Sequence, residues 1–146
     1  MKNIGKLLFI TLLISSTTNC KKKDTTPDLT TNIVGIYGGS IEYVVSATRL
    51  DTTYQSQQVQ ITKLSNTEIQ IEPYNNSVGS SFTANLSQSG NTIILSIPQE
   101  NLTGGSIQSE PGDTSKFNTT TKQFNYDIQI TYNGVVSDER FTGVKQ

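Results

Sequence analysis

The sequence predicts an all-β fold, an antiparallel meander of about eight strands. Three observations carry that expectation. Apolar residues recur at every second position in one run after another between Ile33 and Val144, the period of a strand with one dry and one wet face. Gly, Asn, Ser and Pro pairs separate the runs, so neighbouring strands join through short turns. No stretch of useful length after residue 24 shows the helical period, so there are no crossover helices of the kind parallel strands need. Composition agrees. With 33% hydrophobic and 16% charged residues, polarity comes from Ser, Thr, Asn and Gln, and the chain is not of the charge-driven disordered class. Sequential hairpins of this number close readily into a barrel, and a two-sheet β-sandwich is the alternative.

Taken in order, Ile33, Tyr37, Ile41, Tyr43 and Val45 share one parity and predict the first strand. The adjacent Gly38 and Gly39 let that strand bend. Ser46 to Gln57 reads as a polar excursion, a long loop around a poor edge strand. Val59 and Ile61, a turn at Ser65-Asn66, and Ile69 and Ile71 read as a hairpin whose wet face carries Glu68, Gln70 and Glu72. After a break from Pro73 to Gly79, Phe82, Ala84 and Leu86 form a strand face ended by Ser89-Gly90. Ile93, Leu95 and Ile97 form the next, ended by Pro98. Gln99 to Thr121 is the least regular part, with one or two short strands expected between turns at Gly104-Gly105 and Pro111-Gly112. Phe124, Tyr126, Ile128, Ile130 and Tyr132 then alternate with Asn125, Asp127, Gln129 and Thr131. Asn133-Gly134 is a type I′ turn sequence, and Val135 to Val144 returns as the last strand.

The start of the chain has a different character. Lys2 and Lys6 give a basic opening, Leu7 to Ile14 an apolar run, and Ser15 to Asn19 a small polar exit. These are the three parts of a secretory signal, and the apolar run is too short for a span of about 20 residues. Cys20, the single cysteine, follows and precedes Lys21, Lys22 and Lys23. A lone cysteine in an exported protein has no internal disulfide partner. The segment resembles a bacterial lipobox in the looser form of Bacteroidota-type lipoproteins, with Thr17 at the aliphatic position and Asn19 at the small one. The resemblance implies cleavage before Cys20, diacylglycerol on its sulfur, further acylation such as palmitate, and a lipid-anchored place in the cell envelope, most often the outer membrane. Two or more acyl chains hold such an anchor stably. The expected organisation is a signal peptide over residues 1–19, a flexible tether over 20–31, and a β-barrel domain over 32–146.

The two ends of the domain carry a second resemblance. Gly35-Ile36-Tyr37 opens the first strand, and Arg140-Phe141-Thr142-Gly143-Val144-Lys145 closes the last. This resembles the lipocalin-like (calycin) pattern, in which Gly-x-Trp begins the barrel and a basic residue near its end packs across the aromatic ring; here tyrosine replaces tryptophan. The resemblance implies that Tyr37 and Arg140 form a structural, barrel-closing cation–π pair, worth ~0.5–2 kcal/mol, with Lys145 the second candidate. Separately from the resemblance, a hollow barrel would have room for a small apolar ligand.

Catalytic chemistry is scarce. The chain has no histidine, which removes imidazole bases and ligands. Cys20 is assigned to the anchor, and the serines lie in neither Gly-x-Ser-x-Gly nor Ser-x-x-Lys. No cofactor or metal is expected. Glu100, Glu110 and Asp113 in the irregular region are the remaining material for a carboxylate-based hydrolase, while the adjacent Asp138 and Glu139 must point to opposite faces of a strand. The formal charge is -1 and becomes more negative once Lys2 and Lys6 leave with the signal. No basic patch offers itself to phosphates, so nucleic acid is excluded as a partner. Of the tyrosines, Tyr37, Tyr43, Tyr126 and Tyr132 fit core faces, whereas Tyr54 and Tyr74 are placed in loops as a possible binding rim. The functional expectation is a non-catalytic binding domain for a small ligand on a membrane tether. The alternative is a structural, interaction or inhibitor lipoprotein that meets envelope proteins through Ser46 to Gln57 and Gln99 to Thr121.

Overall fold

A computed structural model of the chain describes residues 26–48, 50–112 and 114–146. The signal reading, Cys20, residues 20–25 of the tether, Arg49 and Asp113 lie outside the described residues.

Among the described residues, one short helix and ten strands follow each other: α1 (Thr30–Ile33), β1 (Gly35–Val45), β2 (Leu50–Lys63), β3 (Glu68–Pro73), β4 (Phe82–Ser89), β5 (Thr92–Ser96), β6 (Glu100–Leu102), β7 (Gly105–Ser109), β8 (Lys116–Asn118), β9 (Gln123–Tyr132) and β10 (Val135–Lys145). All pairings are antiparallel. Strand β10 returns to β1 in register from Tyr37–Lys145 to Val45–Ser137, and this closes the sheet on itself. A sandwich has two separate sheets and is excluded by that seam. Strands β7 and β8 both pair with β9 along one side, while β5 pairs with β8 and β6 with β7. Each of these two wall positions is therefore one long strand interrupted midway. Ten segments occupy eight positions around an antiparallel, barrel-like ring.

Alternation determines what fills the ring. Tyr37 and Ile41 on β1, Val59 and Ile61 on β2, Ile69 and Ile71 on β3, Phe82 and Ala84 on β4, and Phe124, Tyr126 and Ile128 on β9 are all buried. The aromatic rings meet in the middle: Phe82–Tyr126 at 5.0 Å, Tyr126–Phe141 at 5.6 Å and Phe124–Phe141 at 6.0 Å between centroids. Such offset and edge contacts stabilise beyond simple burial, and side chains occupy this part of the interior.

One end of the ring is covered by α1. Ile33 is fully buried, and the Tyr37 hydroxyl donates to its carbonyl at 2.6 Å. Leu29 N–H donates to Asn66 O at 2.9 Å, and Lys63 pairs with Asp28 at 2.6 Å. Contacts with the ring thus include residues 26–31, which the sequence reading assigned to the tether. Four residues are too few for a helical period to show in sequence.

Two further expectations change. Ser46 to Gln57 is mostly the first half of β2, a strand of 14 residues, and Tyr54 belongs to it. Ser56 has φ 56°, and the register of β1 against β2 shifts between Gly39 and Ile41. The bulge changes which parity faces inward, which hides the strand from a period-two reading. At Gly39 the strands approach so closely that a Cβ there would lie 2.0 Å from Thr142 O. Gln99 to Thr121 holds three short strands, β6 to β8, where one or two were expected.

A buried carboxylate at the open end as candidate site

Beyond the core, at the end opposite α1, the inner-face alternation continues along β1, β2, β9 and β10. Ile41 is followed by Tyr43 and Val45, Ile128 by Ile130 and Tyr132, and Phe141 is preceded by Glu139, Ser137 and Val135. The same parity that buries rings lower down here emerges into solvent. Leu50, Tyr54, Leu102, Tyr132 and Val135 are 40–60% exposed. Register sets Leu102 beside Gly105, Gly105 beside Tyr132, and Tyr132 beside Val135. The Tyr54 ring meets the Tyr43 ring edge-on at 5.9 Å. Tyr54 therefore lies on a rim, and Tyr132, expected in the core, joins it because β9 outruns the core.

The floor of this end is Glu139, which is fully buried. Its carboxylate accepts from the Tyr126 hydroxyl at 2.6 Å, the Ser80 hydroxyl at 2.8 Å and the Ser80 N–H at 3.2 Å, and Tyr43 stands opposite it across the β1–β10 pair. A buried carboxylate is tolerated only when so satisfied. Burial, and after it the charge of Glu139, pushes the phenol of Tyr126 well above its usual range, and Tyr43 moves the same way for the same causes. Both stay protonated, and Tyr126 remains a donor. Among the described residues, no lysine or arginine forms an ion pair with Glu139.

Ser80 reaches Glu139 from the segment between β3 and β4. That segment is tied to β2 by Tyr74 N–H to Gln58 O at 2.9 Å, Gln58 N–H to Ser77 Oγ at 2.8 Å and Val78 N–H to Gln57 Oε1 at 2.9 Å. Tyr74 sits at its start and is half-buried, so it contributes less open surface to the rim than Tyr54.

The pair expected to close the barrel does not form. Tyr37 lies inside, against Phe124 at 5.1 Å and Phe117 at 6.0 Å. Arg140 directly precedes the buried Phe141 and so points outward. There its Nε donates to Asp127 at 2.9 Å and its Nη2 to Glu110 at 3.1 Å, with Glu42 at 3.8 Å. Register aligns Glu42, Arg140 and Asp127 across three strands. Burial, then a hydrogen bond with Glu110, pushes the Asp127 carboxyl up to about 7 against the opposing pull of Arg140. Lys145, the second candidate, donates to Asn32 O at 3.1 Å, and it is Lys122 that lies near a ring, 5.9 Å from the Phe117 centroid.

Of the acids of the irregular region, Glu100 and Glu110 serve separate contacts. Glu100 accepts from Thr83 N–H at 2.6 Å, a side-chain substitute for the backbone partner that β4 loses where β5 ends, whereas Glu110 is held by Arg140. No group of three potential metal-ligating side chains is found among the described residues. Two open depressions of about 300 and 360 Å³ lie elsewhere, one around Gly38, Gln58 and Gln146, the other around Ile94, Thr114 and Lys116.

Glu139 and Ser80 were not singled out by the sequence as a site. One signal was present: Glu139 stands two residues before Phe141, an acid on the buried parity of a strand.

No family model and no curated protein matches the chain. Among solved structures it is similar to a protein of unknown function from the DUF3598 family of Nostoc punctiforme, at 11% identity and a TM-score of 0.36, over 79% of this chain and 48% of that one. The chain thus spans about half the length of that neighbour.

Proposed function

We propose that this chain is a lipid-anchored envelope protein, of the small Bacteroidota-type lipoproteins with a lipocalin-like domain, that recognises a partner at the open end of its ring and performs no catalysis. One observation supports this most: Leu50, Tyr54, Leu102, Tyr132 and Val135 form an exposed apolar rim from inner-face positions that nothing among the described residues covers. The N-terminal segment joins at the other end, beside α1. Strand β1 climbs 11 residues from there, roughly 35 Å at strand rise. With Cys20 lipidated, the six residues before Thr26 reach at most about 20 Å. The rim then stands away from the anchor, toward partners. A small ligand is the narrower form of the same reading. Aromatic rings already occupy the middle of the ring, which favours a seat above Glu139 over one among the rings. An envelope protein or an inhibited enzyme is the second form and would use the same rim.

The anchor is tested by fractionation. Wild type is expected in the membrane fraction with incorporated palmitate, and Cys20→Ser is expected to lose both. A Cys20→Ser chain that stays membrane-bound would overturn the anchor. Recognition is tested by affinity capture of the lipidated chain from its native envelope, with mass spectrometry of bound proteins and small molecules. Capture that persists unchanged when Tyr54 and Tyr132 are both replaced by serine would contradict the rim.

A further inference from the structure

We infer that Glu139 is the anchor of a binding site for a primary ammonium group carrying an apolar tail, in which Ser80 of the chain's own β3–β4 segment now holds the place of that group. The inference deepens the recognition reading above and rests on it.

A residue at the inner parity of β10 needs only to pack, as Phe141 does. Glutamate at such a position carries a desolvation cost that hydrogen bonds offset only in part. No cation among the described residues balances it. An ammonium group would supply the missing charge where the local dielectric makes the attraction strong. It also brings three N–H donors, and the donors it would displace are already marked out by the Ser80 N–H at 3.2 Å and hydroxyl at 2.8 Å. Tyr126 holds the carboxylate through its hydroxyl, Tyr43 stands opposite Glu139 across the β1–β10 pair, and Tyr54 packs on Tyr43. The apolar rim above would receive the tail.

Ser80 is placed so that it can leave. Its segment is held to β2 largely through the side chains of Gln57 and Ser77, not through a strand ladder. Gly79, with φ 137°, sits next to it. A Cβ there would lie 3.3 Å from Ile41 and 3.4 Å from the Glu139 carboxylate, so the glycine gives the segment both a close approach and a hinge.

The test titrates phenethylamine, and its neutral counterpart 2-phenylethanol, into the full chain in detergent micelles. The chain has six tyrosines and no tryptophan, so tyrosine fluorescence reports the site, with calorimetry alongside. The expected result is saturable amine binding at least about tenfold tighter than alcohol binding, the scale of one charge-assisted contact. Glu139→Gln is expected to lose that preference while its circular dichroism matches wild type. Ser80→Ala, which removes the competing hydroxyl, is expected to bind the amine more tightly than wild type, by about threefold or more. A merely structural Glu139–Ser80 bond would not produce that gain. Equal binding of amine and alcohol, retained preference in Glu139→Gln, or no saturation by the amine in either wild type or Ser80→Ala would overturn the inference. A chain that captures an envelope partner through its rim yet shows no amine preference loses this inference alone. A chain that does neither loses the recognition reading as well.

Discussion

The closed and open ends of the ring are built by the same alternation and come to opposite ends. At the closed end, inner positions bring Tyr37, Phe117 and Phe124 together under α1, and each is fully buried. At the open end, the same parity delivers Tyr43, Tyr54 and Tyr132 to a rim and places a carboxylate beneath them. Tyr37 and Tyr132 make the contrast concrete. One spends its hydroxyl on the Ile33 carbonyl within the core, and the other is 55% exposed. A strand pattern therefore tells which residues share a face, but how far the core extends along that face depends on strand length and on what caps the end.

This contrast can be broken by substitution. The largest effect is expected at the closed end. Phe124→Ala removes a ring that touches Tyr37, Tyr126 and Phe141, and a loss of about 3–5 kcal/mol is expected, read from urea unfolding. Tyr126→Phe comes next. It removes one donor from the buried Glu139 carboxylate and should cost about 1.5–3 kcal/mol, read by the same assay. Tyr132→Ser, a larger chemical change at an equivalent parity, should shift stability by no more than about 0.5 kcal/mol. A Tyr132→Ser cost as large as that at Phe124 would mean the rim is part of the core.

Much of this was legible in the sequence. The alternations of β1, β3, β4, β5 and β9, the Asn133-Gly134 turn and the return of β10 follow from period two and turn chemistry. The number of wall positions follows from counting those runs. Three features were hidden for physical reasons. The first half of β2 is exposed on much of its surface and bulged at Ser56, so neither face has a continuous apolar signal. Strands β6 to β8 complete two wall positions that are broken midway, and none of the three holds more than one buried residue, so no alternation shows. The Tyr37–Arg140 pair came from resemblance, and alternation opposed it: Arg140 is next to Phe141 and cannot share its face. The same reasoning would have pointed to Glu139, because it is two residues from Phe141.

A pH-dependent effect lies on the outer wall and sharpens the difference between exposed and buried acids. The Asp127 carboxyl titrates at about 7 in the fold, against about 3.9 when unfolded. Between those values the folded state keeps a proton that the unfolded state has lost, so this group's contribution to stability falls as pH rises through that window. Glu110, whose carboxyl is lowered by its hydrogen bond with Asp127 and by Arg140, works in the opposite sense and loses its contribution in acid. Asp127→Asn imitates the protonated acid, able to accept from Arg140 and donate to Glu110. Its melting temperature should match wild type near about pH 4 and exceed it near about pH 8. A variant less stable than wild type at the higher pH would show that the ionised carboxylate is the stabilising form.

The claim that the open end is the recognition surface is tested most directly by photo-crosslinking in the native envelope. A photoreactive side chain is placed at the position of Tyr132 on the rim and, separately, at the position of Lys122 at the closed end. The account predicts a discrete adduct from the rim position that disappears when Tyr54 and Leu50 are replaced by serine, and none from the closed end. An adduct from the Lys122 position alone, or a rim adduct indifferent to those replacements, would contradict it.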